Sequence, residues 1–146
     1  MYFDNAGFEQ LTDAIIDCAM EVHTAAGPGL LESVYGKCLT SELRFQRFEV
    51  ETERALSFSY RDATFENAFR LDLVVEGLIV LEIKSVKALE PVHEAQVITY
   101  LKLTGCPIGL LFNFNVARLK KGGMRRLVHP DLYRRRDTLP KDVKKP

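Results

Sequence analysis

The sequence lacks the features that would direct a protein into or across a membrane. No apolar run reaches the roughly 18 residues that a bilayer-spanning helix needs. Residues 1–5 contain neither the basic region nor the apolar region of a secretory signal peptide. We therefore expect a cytoplasmic protein without a membrane partner, and its 146 residues are enough for one domain with a substantial core.

Cysteine is scarce, and its spacing argues against the common metal and redox motifs. The chain contains Cys18, Cys38 and Cys106, and no two of them form a Cys-x-x-Cys pair. An odd number of widely separated cysteines gives little support for a zinc site or a disulfide framework. We therefore expect three reduced thiols that pack as small apolar groups.

Net charge is also absent, but the charges are unevenly distributed. Residues 118–146 contain eleven Lys or Arg against three acidic residues, a net of +8, whereas residues 1–117 carry a net of −8. A basic segment on an acidic body favours a polyanionic partner, because Lys and Arg near phosphates release condensed counterions. The alternative is a solvated terminus, because residues 133–146 offer little to bury. We predict a single domain over 1–129 and a basic, flexible tail over 130–146.

The hydrophobic pattern predicts two helices, three strands, one helix and two further strands, in that order. The predicted helices cover 8–23, 30–45 and 91–104, and the predicted strands cover 49–60, 65–75, 78–83, 108–114 and 125–128. The apolar side of the second helix is predicted to contain Leu31, Val34, Tyr35, Cys38, Leu39 and Leu43. Pro28 and Gly29 are suited to begin that helix, and Glu76-Gly77 is suited to a hairpin turn. The nearly unbroken apolar run 74–81 indicates that this hairpin is central and covered on both faces.

Two acidic residues flank the predicted turn symmetrically. Asp72 lies five residues before Gly77, and Glu82 lies five residues after it. The two side chains would lie opposite one another on strands about 5 Å apart, or nearly so if a bulge shifts the register. Two carboxylates that close in a buried hairpin would repel each other unless a cation lay between them. Mg²⁺ suits such a site because it prefers oxygen ligands, keeps several waters and bridges to phosphate.

A lysine completes a Glu-x-Lys motif on the second strand of the hairpin. Glu82 and Lys84 are two residues apart and share one face of the strand, while Ile83 points to the other face. The ammonium group would lie beside the carboxylates, where it could orient an attacking water or stabilise charge on a five-coordinate phosphate. A metal ion would make that water nucleophilic at neutral pH. The alternative is an ordinary Glu–Lys pair on a surface strand, although the apolar neighbours Val80 and Leu81 argue against exposure.

Polar side chains on two of the helices are predicted to face the body of the protein. Glu32 and Glu42 lie within or at the edge of the apolar arc of the second helix, where each is either a further carboxylate for the site or part of a buried salt bridge. His93, Gln96 and Tyr100 fall within about 60° of one another on the third helix. Gln96 could orient water or phosphate, and Tyr100 could hydrogen-bond the lysine or the substrate. The alternative for this stripe is a hydrogen-bonded core network, which is the better interpretation of His93.

Two sets of motifs resemble known families. Residues 29–35, Gly-Leu-Leu-Glu-Ser-Val-Tyr, match the pattern that names the GxxExxY family of small bacterial and archaeal proteins. Asp72, the Glu-x-Lys at 82–84 and the Gln-x-x-x-Tyr at 96–100 match the core of the PD-(D/E)xK nuclease superfamily, to which that family is assigned. The resemblance covers the chain up to about residue 129. It implies an α/β fold with a restriction-endonuclease-like core, in which helices flank a central mixed β-sheet.

The resemblance also implies roles for the matched residues. By matched position, the metal ligands would be Glu32, Asp72, Glu82 and the backbone carbonyl of Ile83. The catalytic residues would be Asp72, Glu82, Lys84, Gln96 and Tyr100. Glu32 resembles the glutamate that a helix contributes to the metal site in RecB-like branches of the superfamily. Leu71 stands where the pattern has a proline, a position that varies within the superfamily.

Together, the residues and the resemblance predict a Mg²⁺- or Mn²⁺-dependent nuclease that hydrolyses phosphodiester bonds in DNA rather than RNA. The residues predicted to hold the phosphate backbone are Arg118, Lys120, Lys121, Arg125 and Arg126. Two other interpretations stay open, namely a nuclease-like fold that serves as a binding or regulatory module and a hydrolase of small phosphate esters. A homodimer is compatible with the nuclease, because enzymes that cut duplexes or junctions often need two sites.

Overall fold

The structure is a computed structural model, and it describes residues 5–131. The elements in chain order are α1 (Asn5–Ala26), α2 (Glu32–Phe45), β1 (Val50–Tyr60), β2 (Ala63–Val75), β3 (Ile79–Lys84), α3 (Pro91–Thr104), β4 (Ile108–Asn113) and β5 (Met124–Val128). The predicted order of elements is therefore confirmed. Most of the predicted tail, from residue 132 onward, lies outside the described residues. Within the described part, no helix is both long and apolar enough to cross a bilayer.

The five strands form one mixed sheet in the order β1-β2-β3-β4-β5. Strands β3 and β4 are parallel, and every other neighbouring pair is antiparallel. A parallel pair needs a crossover connection, and α3 supplies it between β3 and β4. Because the two strands are parallel, their carboxyl ends lie at the same edge of the sheet. We call this edge the catalytic edge, since the residues of β3 that the sequence predicts to be catalytic lie there.

The sheet separates two hydrophobic cores, which explains the continuous apolar run in the centre of the chain. On one face, Leu81 packs in a cluster with residues of α1 and α2 such as Ile15 and Leu39. On the other face, Val80 packs in a cluster with residues of α3 such as Val97. Alternate residues of β3 thus enter different cores, and the prediction of a central strand covered on both faces is confirmed.

The turn between β2 and β3 fixes their register. Glu76 and Gly77 both have positive φ angles, 55° and 65°, and the N–H of Leu78 donates to the carbonyl of Val75 at 3.0 Å. Positive φ at both central residues is typical of a type I′ turn. Glycine adopts this conformation without steric cost, whereas Glu76 does so at a small one. The ladder begins at the pair Val75 and Ile79, so the connecting loop comprises residues 76–78. The predicted turn is therefore confirmed.

The outer part of the β1–β2 hairpin extends beyond the rest of the sheet. Strand β2 pairs with β3 only over residues 73–75, whereas β1 and β2 pair from Val50 and Val75 to Tyr60 and Ala63. Residues 54–70 therefore form a two-stranded arm, which we call the arm. Because β2 runs antiparallel to β3, the arm projects from the sheet at the catalytic edge.

The end of the first helix and the start of the second differ from the prediction. α1 extends to Ala26 and ends at Gly27, whose N–H donates to the carbonyl of His23 at 2.8 Å and whose φ angle is 67°. α2 begins at Glu32 after the extended residue Leu31, so Pro28 and Gly29 lie in the connecting loop and do not begin the helix. The predicted boundaries were wrong here because small residues such as Ala25 and Ala26 carry no periodic apolar signal.

The apolar side of α2 was predicted too broadly. Tyr35, Leu39 and Leu43 are buried, but Leu31 is 72% exposed and Val34 is 39% exposed. Helical spacing identifies an apolar arc, and the neighbouring elements decide how much of that arc is covered.

The cysteine prediction is correct for two residues and wrong for the third. All three thiols are free, and Cys18 and Cys106 are buried, whereas Cys38 is exposed on α2. Burial raises the pKa of Cys18 to about 11, and the charge of Glu42 adds to this effect. Cys18 is thus a protonated, unreactive core residue at neutral pH. Glu42 faces α1 and not the catalytic edge.

Candidate active site

Asp72 and Glu82 lie where the β2–β3 ladder ends. The last paired residues are Leu73 and Leu81, and the same register continues to Asp72 and Glu82. This is the predicted register. Asp72 does not extend the ladder, because its carboxylate oxygen Oδ2 accepts a hydrogen bond of 2.8 Å from the backbone N–H of Ile83. The side chain thereby occupies the position of a strand carbonyl and holds its own carboxylate against β3.

Glu82 is the one buried acidic side chain of residues 5–131, with 4% of its surface exposed. Its Oε2 atom has no hydrogen-bond partner within this part of the chain. Burial, followed by the hydrogen bond and the negative charge of Asp72, raises the pKa of Glu82 to about 10. A buried acid of this kind is either protonated or paired with a cation.

Lys84, on β3, places a positive charge beside Asp72 and Glu82. It lies two residues after Glu82 on the same face of the strand and is half-buried. Its charge lowers the pKa of Glu82, although burial and Asp72 outweigh it. The structure therefore brings the predicted carboxylates and the predicted lysine together at one end of the sheet.

Glu32 reaches the same edge from the start of α2. Its Oε1 atom accepts a hydrogen bond of 3.2 Å from the backbone N–H of Ser85, and its charge contributes to the raised pKa of Glu82. The hydroxyl of Ser85 in turn donates to the carbonyl of Leu30 at 2.7 Å. Glu32 is exposed and not buried within the apolar arc. It nevertheless lies beside the carboxylate pair, as its position in the sequence motif implies.

Tyr35, the last residue of the Gly-x-x-Glu-x-x-Tyr motif, fixes the loop from which Glu32 emerges. Its ring is fully buried and stacks on Phe114 with a centroid distance of 4.6 Å. Its hydroxyl donates to the carbonyl of Gly27 and accepts from the N–H of Leu30 at 3.1 Å. The motif thus has a structural explanation, since the tyrosine orders the loop and the glutamate contacts the end of β3.

Helix α3 contributes Gln96 and Tyr100 to the same cluster. Tyr100 is buried, and burial together with the charges of Glu82 and Asp72 raises its pKa to about 12, while a hydrogen bond with Gln96 opposes the shift. Tyr100 therefore lies near the carboxylates, and Gln96 lies beside Tyr100. His93 does not share this role, because its Nδ1 accepts a hydrogen bond of 2.9 Å from the N–H of Glu90 and caps the helix.

Two positioning residues at this edge, Ser85 and Asn113, were not identified from the sequence. Asn113 is fully buried at the end of β4, where its side chain accepts from the N–H of Val86 at 3.1 Å and donates to the carbonyl of Val86 at 3.0 Å. It joins the segment after β3 to the end of β4. The signal in the sequence is an asparagine that ends an apolar strand, which a search for ionisable groups overlooks.

The five predicted phosphate-binding residues divide into two groups. Arg118, Lys120 and Lys121 are exposed in the loop that follows β4, and this loop lies at the catalytic edge because β3 and β4 are parallel. In contrast, Arg125 and Arg126 lie on β5 and form ion pairs.

The ion pairs of β5 connect the strand to both helical layers. Arg125 pairs with Glu94 of α3 at 3.6 Å, and Arg126 pairs with Glu9 of α1 at 2.9 Å. Each arginine is therefore paired with an acidic residue of a helix, on opposite faces of the sheet. These pairs weaken the prediction that the two arginines bind phosphate.

Asp72 and Glu82 could bind a divalent cation as two carboxylates, without a complete set of protein ligands around the ion. Within residues 5–131, no group of three or more His, Cys, Asp or Glu side chains is arranged to hold a metal ion. Mg²⁺ is usually bound through one or two carboxylates, with water and phosphate oxygens completing its shell. The partnerless Oε2 of Glu82 next to Asp72 meets that requirement, and Glu32 is near enough to affect the charge of the pair.

Comparisons with known proteins agree with this arrangement. The sequence pattern of the PD-(D/E)XK nuclease superfamily matches residues 9–127. The crystal structure of SSO0001 is similar over 67% of this chain, with a TM-score of 0.50 and 22% sequence identity. The chain covers 50% of that protein's chain. At this coverage and sequence identity, the similarity supports the fold alone. No curated protein matches the sequence significantly. The predicted α/β fold with a restriction-endonuclease-like core is confirmed.

Proposed function

Because the chain belongs to the PD-(D/E)XK nuclease superfamily, we propose that it is a divalent-metal-dependent nuclease that hydrolyses phosphodiester bonds in DNA. The observation that carries this proposal is the buried Glu82, whose Oε2 has no partner, beside Asp72 and Lys84. Burying Glu82 beside the half-buried Asp72 is costly unless a cation compensates the negative charge, which supports a metal site here.

The residues divide into those that hold the cation and those that act on the substrate. Asp72 and Glu82 would hold the cation, with Glu32 and the carbonyl of Ile83 as the further ligands that the sequence motif suggests. When bound, a divalent cation supplies positive charge to the scissile phosphate and lowers the pKa of water. The proposed cofactor is Mg²⁺ or Mn²⁺, because all of these ligands are oxygen atoms.

Lys84 acts directly on the reacting atoms. Its ammonium group orients the attacking water and stabilises the negative charge that develops on the phosphate. The water oxygen bonds to phosphorus as the bond to the leaving oxygen breaks. The products are one end that carries a phosphate monoester and one end that carries a hydroxyl group.

Gln96 and Tyr100 position the phosphate. The raised pKa of Tyr100, about 12, keeps its hydroxyl protonated throughout the physiological range, so it donates a hydrogen bond. Gln96 contacts this hydroxyl and offers an amide to a second phosphate oxygen. The exposed Arg118, Lys120 and Lys121 hold the backbone of the nucleic acid further along the catalytic edge.

A cleavage assay with a matched lysine control tests the proposal. The full chain is incubated with Mg²⁺ or Mn²⁺ and labelled single-stranded DNA, duplex DNA or RNA. We expect cleavage of DNA, and we expect Lys84→Ala to reduce the rate by about a hundredfold or more. Lys87→Ala should retain the rate, because Lys87 is exposed three residues further along.

The alternative interpretations give different results in the same assay. A binding or regulatory module would bind nucleic acid without cleaving it, and Lys84→Ala would not affect that function. A hydrolase of small phosphate esters would cleave a chromogenic phosphodiester but neither DNA nor RNA. Cleavage that is equal in wild type and Lys84→Ala would contradict the proposed mechanism.

A further inference from the structure

The arm exposes three large aromatic side chains. Phe58 is 41% exposed, Tyr60 is 61% exposed and Phe65 is 54% exposed. Phe58 and Phe65 are cross-strand partners, so their side chains lie on the same face of the arm, and Tyr60 is two residues beyond Phe58 on that face. Large apolar side chains on a projecting hairpin favour association with a partner.

These rings continue into the candidate active site. The ring of Phe58 meets that of Phe69 edge-to-face at a centroid distance of 6.4 Å, and Phe69 meets Tyr100 edge-to-face at 5.8 Å. Tyr100 lies close enough to Asp72 and Glu82 for their charges to raise its pKa. A row of aromatic rings therefore runs from the catalytic carboxylates outward along one face of the arm.

The edge of the arm is protected against pairing with another strand. β1 is an edge strand of the sheet, and its backbone is irregular at Glu53, which has a φ angle of 50°, and between Leu56 and Phe58, where the register shifts. Glu51 and Arg54 add charge to the same edge. Irregularities and charges of this kind oppose edge-to-edge pairing along β1, and Asn67, with a φ angle of 55°, interrupts the open edge of β2.

We infer that the aromatic face of the arm is a stacking surface for unpaired bases, which makes the substrate a nucleic acid with a single-stranded segment. This inference rests on the proposed nuclease function and adds a substrate class to it. Aromatic rings bind unpaired bases without regard to sequence, because every base has a π face. The bases of a duplex are stacked on each other and cannot use these rings.

The dimensions and charge of the arm agree with this role. The six steps from Arg54 to Tyr60 span roughly 20 Å at about 3.3 Å per residue, which is the length of about six stacked nucleotides. The arm carries Arg54, Arg61 and Arg70 against Asp62 and Glu66, so its net charge is only +1. Its contribution to binding should therefore depend little on salt, unlike that of the basic loop after β4.

Binding of defined oligonucleotides tests the inference. Fluorescence anisotropy is measured without divalent metal for a single strand, a blunt duplex and a duplex with a six-nucleotide overhang. We expect the double substitution Phe58→Ala with Phe65→Ala to weaken binding of the single strand and the overhang by about fivefold or more. Binding of the blunt duplex should change less than about twofold, and the slope of affinity against salt concentration should stay the same.

A control and a second measurement separate the outcomes. Phe45→Ala removes a ring that is 79% exposed on α2, away from the arm, and should leave binding unchanged. Light scattering of wild type and the double variant reports whether the arm instead joins two copies of the chain. A change of oligomeric state overturns the inference, as does binding of unpaired probes that is insensitive to the double substitution, and in the latter case the proposed nuclease stands. Failure of the intact protein to bind any probe overturns both.

Discussion

The two halves of β2 differ in almost every property. The inner half, residues 73–75, is buried and paired on both sides, whereas the outer half, residues 63–70, pairs with β1 alone and is mostly exposed. Asp72 lies at the boundary, where its side chain takes the hydrogen bond of Ile83. The core thus fixes the positions of the two carboxylates. Because the β2–β3 ladder ends beside them, they can face a substrate instead of a third strand. On one side of Asp72 the strand is held in the core, and on the other side it extends beyond the sheet.

The largest difference should appear in stability. Leu73→Ala, in the inner half, removes a side chain that is 2% exposed and should lower the free energy of unfolding by about 2–5 kcal/mol. Phe65→Ala, in the outer half, should lower it by less than about 1 kcal/mol, because it loses only a cross-strand contact. Urea denaturation measures both. Similar losses would mean that the arm is part of the cooperative core.

A smaller effect is expected at the boundary itself and depends on pH. The pKa of Glu82 is about 10 in the folded chain, against an ordinary value of 4.5, so the folded state binds a proton more tightly than the unfolded state. Its contribution to stability is therefore complete below pH 4.5 and is lost as the pH rises towards 10.

Glu82→Gln removes this dependence, since glutamine mimics the protonated acid. Without metal, we expect the variant to gain roughly 2–4 kcal/mol relative to wild type between pH 5 and pH 8, since the upper limit is about 1.4 kcal/mol per pH unit. Chemical denaturation at the two pH values measures the gain, and Glu66→Gln on the exposed half of β2 should show none. Parallel pH profiles for wild type and Glu82→Gln would show that Glu82 ionises freely.

The smallest effect is expected at the loop that carries Glu32. Tyr35→Phe removes the hydroxyl that contacts Gly27 and Leu30 and should lower the free energy of unfolding by about 1–2 kcal/mol. Thermal unfolding measures this loss, and Tyr60→Phe on the arm is the matched control. An unchanged melting temperature for Tyr35→Phe would show that water replaces both hydrogen bonds without cost.

Local patterns were sufficient to predict the centre of the site. A short turn with glycine fixes the register of β2 against β3, and the strand period of two then places Lys84 on the same face as Glu82. The order of helices and strands followed from the same kind of periodicity. These features depend on residues that are close in sequence, which is why they were accessible without a structure.

The features that were missed depend on which elements lie next to each other in space. Arg125 and Arg126 have acidic partners because β5 lies at the edge of the sheet between α1 and α3, an arrangement that sequence patterns do not specify. Cys38 and Leu31 are exposed because the neighbouring elements leave part of the apolar arc of α2 uncovered. The sequence of the arm alternates polar and apolar residues as a strand does. That alternation does not reveal that the outer part of β2 pairs with β1 alone.

Calorimetric titration of Mg²⁺ and Mn²⁺ tests the proposed metal site most directly. We expect wild type to bind one of these ions, alone or with a non-cleavable oligonucleotide, and we expect Asp72→Asn and Glu82→Gln to abolish that binding while the circular dichroism spectrum stays unchanged. Absence of binding to folded wild type under both conditions, or binding that survives both substitutions, would contradict a metal-dependent nuclease at this site.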